Sequence, residues 1–97
     1  ISAGYLHTCA VLSTGAVKCW GYNAYGQIGD NSQTNRLTPV DVSGLSSGVT
    51  AISAGYLHTC AVLSTGAVKC WGNNGNGQIG DNSQTQRLTP VAVSGIP

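Results

Sequence analysis

The sequence predicts an all-β protein in which one structural unit occurs twice, and three observations lead to that prediction. Residues 1–46 align with residues 52–97 without a gap, and 39 of the 46 aligned positions are identical. Fourteen glycines separate short apolar runs rich in valine, threonine and alanine, a pattern typical of short strands joined by tight turns. No stretch keeps the apolar period of about 3.6 residues that marks an amphipathic helix. The chain therefore divides into a first repeat, 1–51, and a second, 52–97, which is five residues shorter.

Four strands are predicted for each repeat. In the first repeat they cover 8–12, 16–20 and 38–42, and the fourth, 49–54, crosses the junction between the repeats. Gly15 ends the three-residue loop between the first two strands, where a type I turn followed by a bulge needs a residue that accepts positive φ. Pro39 cannot donate a backbone hydrogen bond, so its strand is expected at the edge of a sheet.

Both faces of the first strand are apolar, since Cys9 and Val11 lie on one face and Ala10 and Leu12 on the other. A sheet with one face in water would alternate apolar and polar residues, so these sheets should be covered on both sides. Four-stranded sheets stacked around an axis form a β-propeller, and a repeat of 51 residues has the size of one blade. The predicted architecture is two four-stranded antiparallel propeller blades, which complete a β-propeller by oligomerisation.

Each repeat also carries an ordered set of spaced motif residues. In the first repeat these are Gly4, His7, Thr8, Gly15, Trp20, Gly21, Asn23, Gly26, Gln27, Ile28, Gly29 and Pro39, and their counterparts follow 51 residues later. This order resembles the regulator-of-chromosome-condensation repeat, with isoleucine where that family usually has leucine. The resemblance implies a propeller, typically of about seven blades.

The cysteine-bearing form of the motif resembles the bacterial, exported branch of that family, which implies an exported bacterial parent protein. The chain has no methionine and its repeats are nearly identical. We interpret it as an excised or engineered two-repeat piece of a longer array.

The four cysteines are predicted to form two disulfides, Cys9–Cys19 and Cys60–Cys70. With residues 13–15 as the loop, the cysteines of each pair lie opposite each other, and opposed Cβ atoms about 4.5–5.5 Å apart are close to disulfide distance. Four cysteines allow three pairings, and strand register favours this one. The alternative is four free, buried cysteines that pack as small apolar residues. Disulfides would indicate an oxidising compartment.

Composition argues against several partners and cofactors. A net charge of +1 and 7% charged residues provide neither the basic surface that nucleic acids need nor a polybasic membrane patch. The sequence lacks the Cys-x-x-Cys spacing of a zinc site. Each loop has one carboxylate, Asp30 or Asp81, which is too few ligands for calcium and is better explained by an Asx turn. We therefore expect no nucleic acid, membrane, metal or cofactor partner.

No enzymatic activity is predicted. His7 and His58 occupy the same position in the two repeats. A structural histidine must recur in every blade, whereas a catalytic base need not. Ser13 and Ser64 lack the G-x-S-x-G setting of a hydrolase nucleophile.

Trp20 and Trp71 are expected to pack between blades rather than to stack on sugars. Positions that vary between such similar repeats indicate a surface loop, where a ligand could bind. The candidate ligand-facing loop residues are Tyr22, Asn23, Tyr25, Asn73, Asn74 and Asn76.

The predicted function is a structural scaffold that assembles with itself. Two blades leave one apolar sheet face open at each end, which favours head-to-tail association into a ring. Chains of two blades each can make a ring of eight or six blades but not of seven. The turn per blade is about 51° in a seven-bladed ring, and the value of about 45° for eight blades is nearer to it than the value of about 60° for six. We therefore expect a homotetramer with eight blades, with a six-bladed homotrimer as runner-up.

The alternative function is a protein- or glycan-binding module that acts through the face loops of the assembled ring. Nucleotide exchange on a small GTPase, which the family name suggests, is disfavoured because the chain has three acidic residues and no insertion between its repeats.

Overall fold

The computed structural model describes residues 1–96 and contains eight strands in two sheets. Pro97, the last residue of the predicted second repeat, lies outside the described residues. The strands of the first sheet are β1 (Ser2–Ala3), β2 (His7–Val11), β3 (Val17–Gly21) and β4 (Arg36–Asp41). Those of the second sheet are β5 (Val49–Ala54), β6 (His58–Leu63), β7 (Val68–Gly72) and β8 (Arg87–Ala92).

Each sheet is a four-stranded antiparallel meander in which the strands follow one another in sequence order. The predicted all-β fold with two four-stranded blades is confirmed. Strand β5 has the bounds that the sequence predicts, whereas β2, β3 and β4 are shifted by one or two residues. The described part of the chain contains no helix long and apolar enough to cross a membrane.

The turn between β2 and β3 sets the register of the hairpin. Gly15 has φ +84°, and its N–H donates to the carbonyl of Leu12 at 2.9 Å. The backbone of Val17 bonds instead to the neighbouring segment 42–45, so Val17 and Val11 form a non-hydrogen-bonded pair. Because such pairs alternate along an antiparallel ladder, the pair two residues further on is also of this type, which brings its side chains close together.

Cys9 and Cys19 occupy that position, with Cα atoms 4.1 Å apart, and are joined by a disulfide. Cys60 and Cys70 form the equivalent disulfide in the second blade, with Cα atoms 4.0 Å apart. Both disulfides are the ones that strand register predicts.

The two blades pack face to face, and the main apolar core lies between them. The core contains residues from both blades: Cys9, Val17, Cys19, Ile28, Val42, Leu45, Val49, Ala61 and Trp71. Most of these come from the first blade, while Val49, Ala61 and Trp71 belong to the second. The sheets are therefore covered where they meet, as their apolar faces require.

Candidate functional site

Each blade has two faces of different chemistry, because successive strand residues point to opposite sides of a sheet. We call one the tryptophan face; it carries Thr8, Ala10 and Trp20 in the first blade and Thr59, Ala61 and Trp71 in the second. We call the other the disulfide face; it carries His7, Cys9, Val17 and Cys19 in the first blade and His58, Cys60, Val68 and Cys70 in the second. The disulfide face of the first blade packs on the tryptophan face of the second, and we call this contact the seam.

The polar centre of the seam is the backbone carbonyl of Gln27, which accepts two hydrogen bonds from the second blade. Trp71 donates from Nε1 at 2.9 Å and Thr59 donates from its hydroxyl at 2.8 Å. The hydroxyl oxygen of Thr59 lies 2.8 Å from Nε2 of His7. Since the only hydroxyl proton of Thr59 is directed to Gln27, His7 must donate, which places the proton of the neutral imidazole on Nε2.

His7 is therefore held as a neutral donor. Burial lowers its pKa and the positive charge that His58 can carry lowers it further, while an interaction with the backbone of His58 raises the pKa in part. Its other ring nitrogen, Nδ1, is buried without a hydrogen-bond partner among the described residues. The cost of burying a second proton at Nδ1 outweighs the backbone contribution, so the seam favours the uncharged form.

Two glycines of the first blade make room for the second blade. A Cβ atom on Gly29, which has φ +81°, would lie 2.6 Å from Nε1 of Trp71. A Cβ atom on Gly26 would lie 2.5 Å from Cδ2 of Leu88. Trp71 and Leu88 thus enter a socket that only glycine leaves open, which explains why the Gly-Gln-Ile-Gly motif precedes a buried tryptophan of the next blade.

The same residues recur uncovered at the two ends of the stack. Leu37, the counterpart of Leu88, is 95% exposed. Leu45 is 3% exposed in the seam, whereas its counterpart Ile96 is 44% exposed. Trp71 is 0% exposed, but Trp20 is only partly buried. The tryptophan face of the first blade and the disulfide face of the second are therefore open.

The open disulfide face contains an empty counterpart of the socket. A Cβ atom on Gly77 would meet no described atom within 4 Å, and one on Gly80 would meet only the side chain of Val93. The cleft at this place has a volume of about 730 Å³ and is lined by Gly77, Gly80, Asn82, Ser83, Gln84 and Ser94.

Asn23 and Asn74, which the sequence suggested as ligand-facing, have buried side chains that hold their own loops together. The amide oxygen of Asn23 accepts from the N–H of Ile28 at 2.9 Å, and its amide nitrogen donates to the carbonyls of Ser32 and Thr34 at 3.0 Å each. Asn74 makes the same set of hydrogen bonds in the second blade. These two expectations are corrected, because a buried amide must satisfy its hydrogen bonds internally.

A carboxylate completes each of these loops. Asp81 accepts from Nε of Arg87 at 2.6 Å, and Asp30 makes the same pair with Arg36 at 2.7 Å. Hydrogen bonds from Ser83, then from Arg87 and Asn74, lower the pKa of Asp81 to about 2. Both carboxylates act as structural anchors of their loops, as an Asx turn would require.

The remaining loop candidates lie nearer the surface. Tyr25 and Asn76 are exposed, while Tyr22 and Asn73 are partly buried. The amide oxygen of Asn73 accepts the N–H of Gly75 at 2.8 Å.

Sequence reasoning missed a pair of exposed tyrosines, Tyr5 and Tyr56, whose ring centroids are 4.2 Å apart. The search for variable loop positions could not find them, because they are identical in the two repeats. It also overlooked Leu37. The available signal was an apolar residue two positions before Pro39, in an edge strand.

The stacked four-stranded sheets with their repeated seam residues define a β-propeller repeat protein. The profile of the regulator of chromosome condensation (RCC1) repeat matches residues 14–62, and a second RCC1 repeat profile matches residues 49–78. The chain belongs to the RCC1 repeat family.

Known relatives are much longer than this chain. The ultraviolet-B receptor UVR8 of Arabidopsis thaliana is 34% identical over 97 residues, which cover 99% of this chain and 22% of the receptor. The probable E3 ubiquitin-protein ligase HERC4 of Homo sapiens is 40% identical over 97 residues, which cover 98% of this chain and 9% of the ligase.

Solved structures share the fold. Human WBSCR16 superimposes with a TM-score of 0.86 at 24% identity, covering 96% of this chain and 25% of that protein. Prp20p of Saccharomyces cerevisiae superimposes with a TM-score of 0.78 at 25% identity, covering 99% of this chain and 25% of that protein. The chain thus spans a quarter or less of the proteins it matches.

Proposed function

We propose that this chain is a structural propeller module that binds further copies of itself head to tail and closes into a ring, with no catalytic activity of its own. One observation carries the proposal: the pair of faces that is buried in the seam occurs again, uncovered, at the two ends of the described chain. The tryptophan face of one copy therefore fits the disulfide face of the next.

The match between the faces extends to individual side chains. Leu37 and Trp20 project from the open tryptophan face as Leu88 and Trp71 do in the seam. They would enter the cleft at Gly77 and Gly80, which has the same residues as the filled socket. Since the two faces differ, neither can bind a second copy of itself in the same way, and the association is heterologous.

Ring closure follows if the angle between blades allows it. Four chains make eight blades with a turn of about 45° each, and three chains make six with about 60°. The homotetramer is the expected assembly because its angle lies nearer to the roughly 51° of a seven-bladed propeller, and the homotrimer is the runner-up.

The mass of the 97-residue chain in solution tests this function. Light scattering at neutral pH should give a single species of four times 9.8 kDa. The variant Leu37→Asp, which places a charge on a side chain exposed in the single chain, should keep the fold and lose the assembly. A wild-type chain that stays at 9.8 kDa would overturn the proposal, while a mass of three chains would change only the number of blades.

A protein- or glycan-binding role is a second candidate, and the exposed stack of Tyr5 and Tyr56 favours it. Exposed aromatic rings are common anchors at binding surfaces. Binding to a glycan array that disappears in the double variant Tyr5→Ser/Tyr56→Ser would support this role. The partners of the much longer relatives are not transferred to this chain.

A further inference from the structure

We propose that His58 is a proton-controlled latch between copies: its neutral imidazole donates to Thr8 of a second copy, and mild acid releases the assembly. This inference rests on the proposed self-assembly and adds its regulation. His58 lies on the open disulfide face of the second blade, and Thr8 lies on the open tryptophan face of the first.

The seam within the chain supplies the geometry. There, Nε2 of His7 lies 2.8 Å from the hydroxyl of Thr59, which in turn donates to the carbonyl of Gln27 at 2.8 Å. The counterparts of His7, Thr59 and Gln27 in the other repeat are His58, Thr8 and Gln78. A second copy seated as the second blade seats on the first would bring them together in the same chain of hydrogen bonds.

Either form of the ring can donate from Nε2, and it is the surroundings of Nδ1 that favour the neutral form. In the seam, Nδ1 of His7 is buried without a partner among the described residues, and the ring packs so closely on Gly4 that a Cβ there would lie 2.5 Å from Cε1. The ring of His58 lies against Gly55 in the same way. A proton on Nδ1 of His58 would therefore lose its contact with water once a second copy covers the face.

The electrostatic surroundings act in the same direction. The titratable group that acts on His7 is His58 on β6. The other groups that face His7 are uncharged: the hydroxyl of Thr59, the carbonyl of Gln27 and the backbone of Gly4. Between copies, His7 of the second copy would take the place that His58 has in the seam. The open tryptophan face also carries Asp41, where the seam has Ala92, but Asp41 lies on β4, two strands away from Thr8, and pairs with Lys18 at 3.5 Å.

The sign of the pH dependence follows. In the single chain, partial burial already lowers the pKa of His58 below 6.5. Covering the face should lower the pKa further, so the separated copies bind the proton more tightly than the assembly does. Acid therefore weakens each contact between copies, by up to about tenfold for each pH unit below the pKa of the uncovered His58.

The test uses the full 97-residue chain at a fixed concentration near the dissociation midpoint of the assembly. Light scattering from about pH 7.5 to about pH 5 should show the wild type separating into single chains. The variant His58→Gln keeps a donor at the position of Nε2 but does not titrate, so its assembly should not change over this range. The NMR signal of the indole N–H of Trp71, which donates to Gln27, checks that the seam within each chain, which contains His7, stays intact.

The outcomes separate the two proposals. A wild type that never assembles overturns the proposed function. A wild type that assembles equally at both ends of the pH range overturns the latch and leaves the self-assembly standing. Dissociation of His58→Gln over the same pH range as the wild type also overturns the latch. As a second measurement, the NMR titration of His58 should give a lower pKa in the assembly than in the dilute chain, and equal values would contradict the inference.

Discussion

Trp20 and Trp71 occupy the same position in two nearly identical repeats, yet their surroundings differ. Trp71 is fully buried and donates to the carbonyl of Gln27 at 2.9 Å, whereas Trp20 lies partly exposed on a face that no further described blade covers. The two repeats thus show the same surface with and without its partner. The comparison teaches that burial in a propeller is set by the neighbouring blade, and it provides a matched control for each seam residue that recurs in the other repeat.

The largest expected effect comes from removing each tryptophan in turn. Trp71→Ala should lower the free energy of unfolding by about 3–5 kcal/mol, because it empties a packed site between the blades. Trp20→Ala should lower it by about 1 kcal/mol or less in the single chain. Urea denaturation at a concentration where the wild type does not associate measures both, and equal losses would contradict the assigned seam.

The socket glycines allow a finer version of this comparison. Gly29 and Gly80 have φ values of +81° and +78°, so an alanine side chain has the same backbone cost at either position. Only at Gly29 would the added Cβ collide with Trp71. Gly29→Ala should therefore destabilise the single chain by about 1–3 kcal/mol more than Gly80→Ala. Thermal melts of the two variants check this, and a larger loss for Gly80→Ala would refute the socket.

The two disulfides should differ in their rate of reduction. Both close loops with a sequence separation of 10, so loop length cannot distinguish them. Cys9 and Cys19 are fully buried in the seam, while Cys60 on the open face is partly exposed. Limited treatment of the single chain with a thiol reductant, followed by alkylation and mass spectrometry, should find Cys60 and Cys70 labelled first. Simultaneous labelling would show that the open face does not expose its disulfide.

The smallest difference is expected at Asp30 and Asp81, whose side-chain hydrogen bonds all lie within their own loops. Asp30→Asn and Asp81→Asn should lower Tm by similar amounts, because each carboxylate bonds to its own arginine and serine. The folded pKa of both is below the ordinary 3.8, so their stabilisation is present above that pH. It is lost as the pH falls from 3.8 towards about 2 at Asp81. Melting curves between neutral and acidic pH measure this, and unequal losses would show that the neighbouring blade changes what the carboxylate contributes.

The hairpin and its disulfide could be predicted from sequence because they depend on local register. The position of Gly15 sets the turn, and the turn places Cys9 opposite Cys19. The apolar character of both strand faces likewise predicted that the sheets would be covered.

The loops and the seam could not be derived in this way. The side-chain amide of Asn23 donates to the backbone carbonyls of Ser32 and Thr34 and so closes the loop. No local sequence pattern specifies these contacts. The socket at Gly29 depends on a tryptophan of the next blade. The positions that vary between the repeats, such as Asn73 and Asn76, do lie nearer the surface, whereas Asn23 and Asn74 between them are identical in the repeats and point inward.

The central claim is that the open tryptophan face of one chain binds the open disulfide face of another. Two variants that each block one face test it most directly: Leu37→Asp blocks the tryptophan face, and Ile96→Asp blocks the disulfide face, both at side chains exposed in the single chain. Each variant alone should remain at 9.8 kDa by native mass spectrometry, and their equimolar mixture should form a species of two chains and no larger one. A mixture that stays at the mass of one chain while the wild type assembles would contradict the claim, as would a ring formed by either variant alone.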